Sequence, residues 1–228
     1  MIKLYKVGGS VRDKLLDRKC SDIDYAVEAE SFKDMREYIL SKNYRIFLEK
    51  PEFFTIRARI PNGKDVIDFT LCRQESDYSD HRHPNNVELG TIENDLSRRD
   101  FTMNAIAQRI DGNFIDPFNG ISDIDNKIIR CVGNPFNRLS EDPLRILRAL
   151  RFSVILGFSF DSLLHNTLLD DNVTCLLEHI SSDRKVQELN KMFKHNTVKS
   201  IELLNQYPNV MKNTFVNGLW INATLKKN

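Results

Sequence analysis

The Asp142-Pro143 step divides this sequence into two regimes. Beyond it, apolar residues recur at helical spacing almost to the C-terminus. Before it, short alternating runs are interleaved with helical ones. A chain so patterned folds as an α+β domain followed by helices, and the change of character puts the border near Ser140, giving 1–140 and 141–228. With 228 residues the chain hides about 70% of the surface its unfolded form exposes. That is enough for one full core and a smaller helical appendage.

The first region starts with a strand over Ile2–Val7, a turn at Gly8-Gly9 and a helix opening at Ser10: strand, tight turn, helix. A second strand is expected over Ile23–Val27, a helix over Phe32–Leu40, and strands over Phe53–Ile60 and Val66–Leu71. The last two are separated by the turn signal Pro61-Asn62-Gly63. The sheet is therefore mixed or antiparallel. Arg73–Asn86 is polar and poor in apolar residues and is expected to be an exposed, mobile loop. Phe101–Arg109 reads as helix and Phe114–Asp116 as strand.

No apolar run approaches the roughly 20 residues needed to cross a bilayer, and MIKLYKVGGS lacks the succession of a signal peptide. The four cysteines, Cys20, Cys72, Cys131 and Cys175, are too scattered for a zinc knuckle or redox pair, so reduced thiols in a cytoplasm are expected. Net charge is +1, which argues neither for nor against a nucleic-acid partner. From Leu176 onward eight Lys or Arg face four acids, leaving −3 for the rest. A basic end beside an acidic half suits a protein holding a polyanion at one end and metal at the other. A solvated helical surface accounts for the same charges.

Asp22 and Asp24 lie two apart in the expected second strand, where alternate side chains share a face. Two such carboxylates can hold a hard divalent cation such as Mg²⁺, which takes oxygen ligands and keeps waters and substrate phosphates in its shell. The pair alone is weak, because D-x-D occurs in surface turns and in glycosyltransferases. The turn at Gly8 and Gly9 adds context, since backbone N–H groups there can hold a triphosphate. Arg12 could reach a phosphate, or pair with Asp13 or Asp17. Asp68, in Val66-Ile67-Asp68-Phe69-Thr70, is either edge-exposed or a third acid of a metal site. In Arg98-Arg99-Asp100-Phe101-Thr102, Arg99 could bind phosphate and Asp100 a ribose hydroxyl, or the acid could cap the following helix.

Projected at about 100° per residue, Ile146, Leu147, Leu150 and Val154 share one face of the helix that follows Asp142. Arg145, Arg148 and Arg151 share the opposite one. A ladder of guanidiniums beginning at a carboxylate can read the edge of a nucleobase without a nucleic-acid template. The same residues also suit a plain helix start, with Asp142 as N-cap, Pro143 first in the helix and a solvated arginine face.

Gly8-Gly9-Ser-Val-Arg12-Asp13, Asp22-Ile-Asp24, Arg98-Arg99-Asp100-Phe-Thr-Met-Asn104-Ala and Glu141-Asp142-x-x-Arg145-x-x-Arg148, in this order, resemble the class II CCA-adding enzyme and bacterial poly(A) polymerase family. The resemblance implies a polymerase-beta-like nucleotidyltransferase head with a mixed sheet, then an all-helical neck and a shortened body. By position, Asp22 and Asp24 would be the catalytic metal ligands for Mg²⁺, and Asp68 a less uniform third acid. Gly8, Gly9 and Arg12 would hold the triphosphate, and Arg99 and Asp100 the nucleotide's sugar and phosphates. Asp142 and Arg145, supported by Arg148 and Arg151, would select cytosine or adenine. The implied reaction is addition of CMP and AMP, from CTP and ATP, to the 3′ end of tRNA. Poly(A) or A-only addition, and a nucleotide- or RNA-binding module without catalysis, are the alternatives. Arg73-x-Glu75-x-x-Tyr78-x-Asp80-x-Arg82-His83-Pro84 resembles the flexible segment of enzymes that complete CCA. Family members carry longer body and tail regions after the neck, so a homodimer or partner is expected to compensate.

Overall fold

The computed structural model describes residues 2–20, 23–61, 63, 65–78, 84–216 and 218–221. It divides into two compact units, Met1–Asp77 with Pro84–Ile124, and Tyr78–His83 with Asp125–Asn228.

The first unit is built on one mixed sheet. β1 (Lys3–Val7) buries Tyr5 and Val7 by alternation and leads through Gly8 into α1 (Gly9–Leu15). β2 (Ile23–Glu28), α2 (Phe32–Ser41), β3 (Arg45–Lys50), β4 (Thr55–Arg59) and β5 (Val66–Leu71) follow. Counting β8 (Ala107–Arg109) and β9 (Phe114–Ile115), the strand order is β3-β4-β5-β2-β1-β8-β9. Only β2 and β5 run parallel, and the other neighbours are antiparallel. Ser31 starts α2 by accepting the Asp34 N–H at 3.1 Å. The helix then turns Met35 and Ile39, one turn apart, onto Val27, Ile56, Ile67, Phe69 and Leu71. Phe69 is fully buried there, and a Phe→Ala change at such a site costs about 3–5 kcal/mol. β5 thus gives Ile67, Phe69 and Leu71 to the helix-covered face and leaves Asp68 and Thr70 half-buried on the other.

Two expectations are corrected. Arg73–Asn86 is not a plain loop: β6 (Arg73–Tyr78) and β7 (Pro84–Leu89) form a two-stranded sheet, with residues 79–83 outside the described residues. A ribbon of polar residues lacks the one-sided apolar alternation by which strands are recognised. Phe101–Arg109 is not a helix. After α3 (Ile92–Ser97), a single 3-10 turn at Thr102–Asn104 leads into β8, which pairs with β1 through Tyr5↔Arg109 and Val7↔Ala107. Every residue from Asp100 to Gln108 is buried, and a short run buried on all sides carries no period to separate helix from strand.

The first unit ends within α4 (Gly120–Asp125), and the second continues with β10 (Ile128–Ile129), α5 (Pro135–Glu141) and α6 (Leu144–Leu156). β11 (Ser159–Phe160), α7 (Ser162–Leu169), α8 (Asp171–Thr174), α9 (Ser182–His195), α10 (Thr197–Gln206) and α11 (Pro208–Thr214) complete it. The contact border at Ile124 precedes the change of sequence character at Ser140, because β10 pairs in parallel with β11 on the far side of α6. α6 ends at Gly157 in the left-handed region, φ 73°.

Candidate active site

The turn between β1 and α1 demands glycine. Gly8 has φ 69° and ψ −137°, and a Cβ there would lie 2.9 Å from Nη1 of Arg99. A guanidinium therefore occupies the space the missing side chain leaves. Arg99 is held in place by Asp95, with Nη2 donating to Oδ2 at 2.8 Å. The same carboxylate binds Arg98. Burial alone would raise the pKa of Asp95, but Arg99 and Arg98 outweigh it and hold the group below the ordinary carboxylate range.

Arg12 approaches the turn from α1. Its Nη1 donates to Oδ1 of Asn104 at 2.8 Å, and Nη2 donates to Oδ1 of Asp13 at 2.7 Å. Asn104 in turn donates from Nδ2 to Oδ1 of Asp100 at 3.0 Å, and that carboxylate also accepts the Phe101 N–H at 2.8 Å. Arg12 and Asp100 are thus joined through the side chain of Asn104, whose main-chain carbonyl also accepts from Nη1 of Arg99 at 3.4 Å. Both guanidiniums are paired with carboxylates, Arg12 with Asp13 and Arg99 with Asp95, so beside the half-charge of a seven-residue helix they offer a phosphate N–H donors and not uncompensated charge. The turn can hold phosphate chiefly through guanidiniums.

Asp24 is exposed on β2, and its Cα partners are Val7 on β1 and Asp68 on β5. Laterally adjacent residues project to the same face of a sheet, so Asp24 and Asp68 stand side by side, one strand from the residue that leads into Gly8. Asp68 is already clasped: Nε and Nη2 of Arg57, its partner on β4, each donate to one carboxylate oxygen at 2.6 Å. Asp22 lies outside the described residues. Among the described residues no group of three His, Cys, Asp or Glu could hold a metal. Carboxylate oxygens, such as those of Asp24 and Asp68, are the donor type that suits a hard cation.

In the second unit, Asp142 and the arginines of α6 are distributed differently from the expected ladder. Pro143, not Asp142, occupies the N-cap position, while Oδ1 of Asp142 still accepts the Leu144 N–H at 3.2 Å. The carboxylate also receives Nη2 of Arg184 at 3.3 and 3.4 Å. Nη1 of Arg145 donates at 2.8 Å both to Glu141 Oε2 and to the Arg138 carbonyl. Arg148 has its guanidinium 5.6 Å from the Phe152 ring. Arg151 lies 4.0 Å from the same ring and is bound to the buried Glu188 of α9. Burial would raise the Glu188 pKa, but Arg151 holds it low. The arginine side of α6 is therefore half-buried and partnered by acids from α5 and α9, not an open solvated face.

Sequence reasoning passed over Asn104, Asp95, Arg57 and Glu141. Asn104 and Glu141 stand inside the motifs, and their spacing of four from Asp100 and Arg145 is the available signal. The others act through partners that periodicity does not reveal.

A mixed sheet bearing adjacent aspartates beside a glycine turn, followed by a helical unit, is the architecture of a nucleotidyltransferase head and neck. Residues 4–130 match the poly A polymerase head domain, and the chain belongs to that family. It is 40% identical over 201 residues to a CCA-adding enzyme of Staphylococcus epidermidis, covering 86% of this chain and 47% of that one. The Bacillus stearothermophilus CCA-adding enzyme in complex with CTP superposes with a TM-score of 0.75 at 33% identity, over 89% of this chain and 47% of that one. A tRNA nucleotidyltransferase complexed with a primer tRNA and an incoming ATP analog gives 0.74 at 30%, over 96% and 61%. The chain spans about half the length of the curated relatives it matches, 45% and 47% in two of them. Family membership points to divalent-metal chemistry. Among the described residues no helix is long and apolar enough to cross a membrane.

Proposed function

We propose that this chain is the head and neck of an enzyme adding CMP and AMP, from CTP and ATP, to the 3′ end of tRNA. The observation that carries the reading is the pairing of Asp24 with Asp68 across β2 and β5, next to a glycine turn ringed by Arg12 and Arg99. In this reading Arg12 and Arg99 bind the triphosphate and orient its α-phosphate, and Asp100 accepts a hydrogen bond from the ribose. Asp22 and Asp24 would hold Mg²⁺, which lowers the pKa of the attacking 3′-hydroxyl and stabilises the departing pyrophosphate. Arg57 neutralises Asp68 and keeps it oriented along the sheet. Asp142 and Arg145 select the base: a carboxylate accepts from an exocyclic amine, and a guanidinium donates to ring and carbonyl acceptors. The four free thiols, Cys20, Cys72, Cys131 and Cys175, suit a cytoplasmic location.

The relatives' printed names support the choice of tRNA and of both nucleotides. The test is incorporation of radiolabelled CTP and ATP, singly and together, into tRNA lacking its terminal CCA. Two C and one A are expected. Homopolymeric A tails would transfer the assignment to poly(A) synthesis, and no incorporation with intact nucleotide binding would indicate a binding module.

A further inference from the structure

The face of the sheet that carries Asp24 and Asp68 continues outward over β4 and β3, and its chemistry changes along the way. One lateral row crosses four strands as Asp24, Asp68, Arg57 and Leu48. In the next row on that face, Arg59 of β4 stands directly opposite Arg45 of β3. Like charges placed opposite each other in an antiparallel pair destabilise it. Both arginines are exposed, and no acid among the described residues pairs with either. At the edge of its sheet the fold therefore maintains a like-charged pair that no acid among the described residues compensates.

Apolar and aromatic side chains lie along the rest of the hairpin, from this pair to its turn. Phe47 falls where the β3 register shifts between Ile46 and Leu48, and a bulge there opposes two residues to one on β4. Phe47 is 52% exposed and Leu48 38%. At the hairpin's turn Phe53 is 51% exposed, with the Lys50 ammonium 5.8 Å from its ring. Glu49 is bound to Arg36, which removes the nearest acid of β3 from the account. Cations interleaved with exposed rings form the surface that single-stranded nucleic acid prefers: phosphates meet the guanidiniums and bases stack on the rings. Strands lie about 4.8 Å apart, so the arginine pair is some two to three strand widths from Asp24. That is the distance of a few nucleotides, not of a remote surface.

We propose that the β3–β4 hairpin is a platform for the single-stranded 3′ end of the RNA substrate. Arg45 and Arg59 bind backbone phosphates upstream of the reacting terminus, and Phe53 or Phe47 offers a stacking surface to a base. This rests on the proposed function for the identity of the RNA, but its test is separable. Binding of a fluorescent 3′-truncated tRNA and of a short single-stranded RNA is measured across a salt series for the 228-residue chain and for R45A/R59A, R45K/R59K and F53A. Loss of two phosphate contacts should lower the slope of log affinity against log salt by about 1.4, at roughly 0.7 per single-strand phosphate. R45K/R59K should keep the slope, and F53A should weaken binding about ten-fold at unchanged slope, as loss of one stacked base does. CTP affinity, measured separately, should not move in any variant. Unchanged RNA affinity and slope in R45A/R59A overturns the platform. A wild-type chain that adds no nucleotide yet shows the arginine-dependent slope upholds the platform and overturns the enzymatic reading instead.

Discussion

Arg12 and Asn104, 92 positions apart in sequence, meet with the guanidinium Nη1 donating to the amide Oδ1 at 2.8 Å. Because Asn104 also donates to Asp100, one amide fixes in a single geometry the cation proposed to bind phosphate and the carboxylate proposed to bind the ribose. Asn104→Ala should leave both partners buried and underbonded, a loss of about 1–3 kcal/mol. The expected kinetic outcome is a KM for CTP and ATP raised about ten-fold, with thermal stability lowered by a few degrees. Stability lost without any change in KM would show that Asn104 serves the fold alone.

Gly8 and Gly9 are adjacent but not equivalent. Gly8→Ala must accept φ 69° and crowd Nη1 of Arg99 at 2.9 Å, whereas a Cβ on Gly9 meets Nη2 of Arg12 at an ordinary 3.6 Å. The first substitution should cost about 1–3 kcal/mol and displace Arg99, reducing nucleotide affinity. The second should change stability by well under that. Denaturant unfolding and nucleotide titration of the two variants side by side decide it, and equal effects would refute the account of the turn.

Asp95 gives the fold a pH signature. Its carboxyl is held low by Arg99 and Arg98, so it contributes stability above the unfolded carboxylate value of about 3.9. That contribution is lost as pH falls through the lower folded value. The stability gap between the native chain and Asp95→Asn should therefore be constant from pH 7 to about 5 and close below about 4. Thermal melts of both proteins across that range measure it, and a gap that widened on acidification would contradict the ion pairs.

These three sites show where the sequence could and could not be read. The Gly8-Gly9 turn and the Asp24 position follow from local spacing and stand in the expected elements, whereas α6 is capped at Pro143, one residue later than Asp142. The pairing of Asp24 with Asp68 depends on two parallel strands meeting, and parallel register leaves no mark in either strand alone. Asp95 reads as an ordinary first-turn acid of α3 until Arg98 and Arg99 fold back on it. The β6–β7 ribbon and β8 were misread because one is polar on both sides and the other buried on both, so neither alternates.

Under the proposed function, Arg145 and Arg151 should separate reading of the base from support of the helix. Arg145 is held by Glu141 and the Arg138 carbonyl at the start of α6, close in sequence to Asp142. Arg151 is bound to the buried Glu188, with side-chain exposures of 11% and 6%. Breaking a buried pair from one side leaves the other charge uncompensated, at about 3–5 kcal/mol, whereas replacing both with apolar residues of similar volume is close to neutral. Arg151→Met and Glu188→Met should each destabilise the chain strongly, and the double variant should recover most of the loss. In none of the three should the ratio of C to A incorporation change once the protein is folded. Arg145→Ala should alter that ratio at a smaller stability cost, about 1–3 kcal/mol, because Glu141 is the more exposed acid, at 26%, and keeps Arg138 as a partner. If Arg151→Met changed nucleotide choice in the stable double variant as much as Arg145→Ala does, the division of labour along α6 would be wrong, and the whole arginine face would belong to base selection.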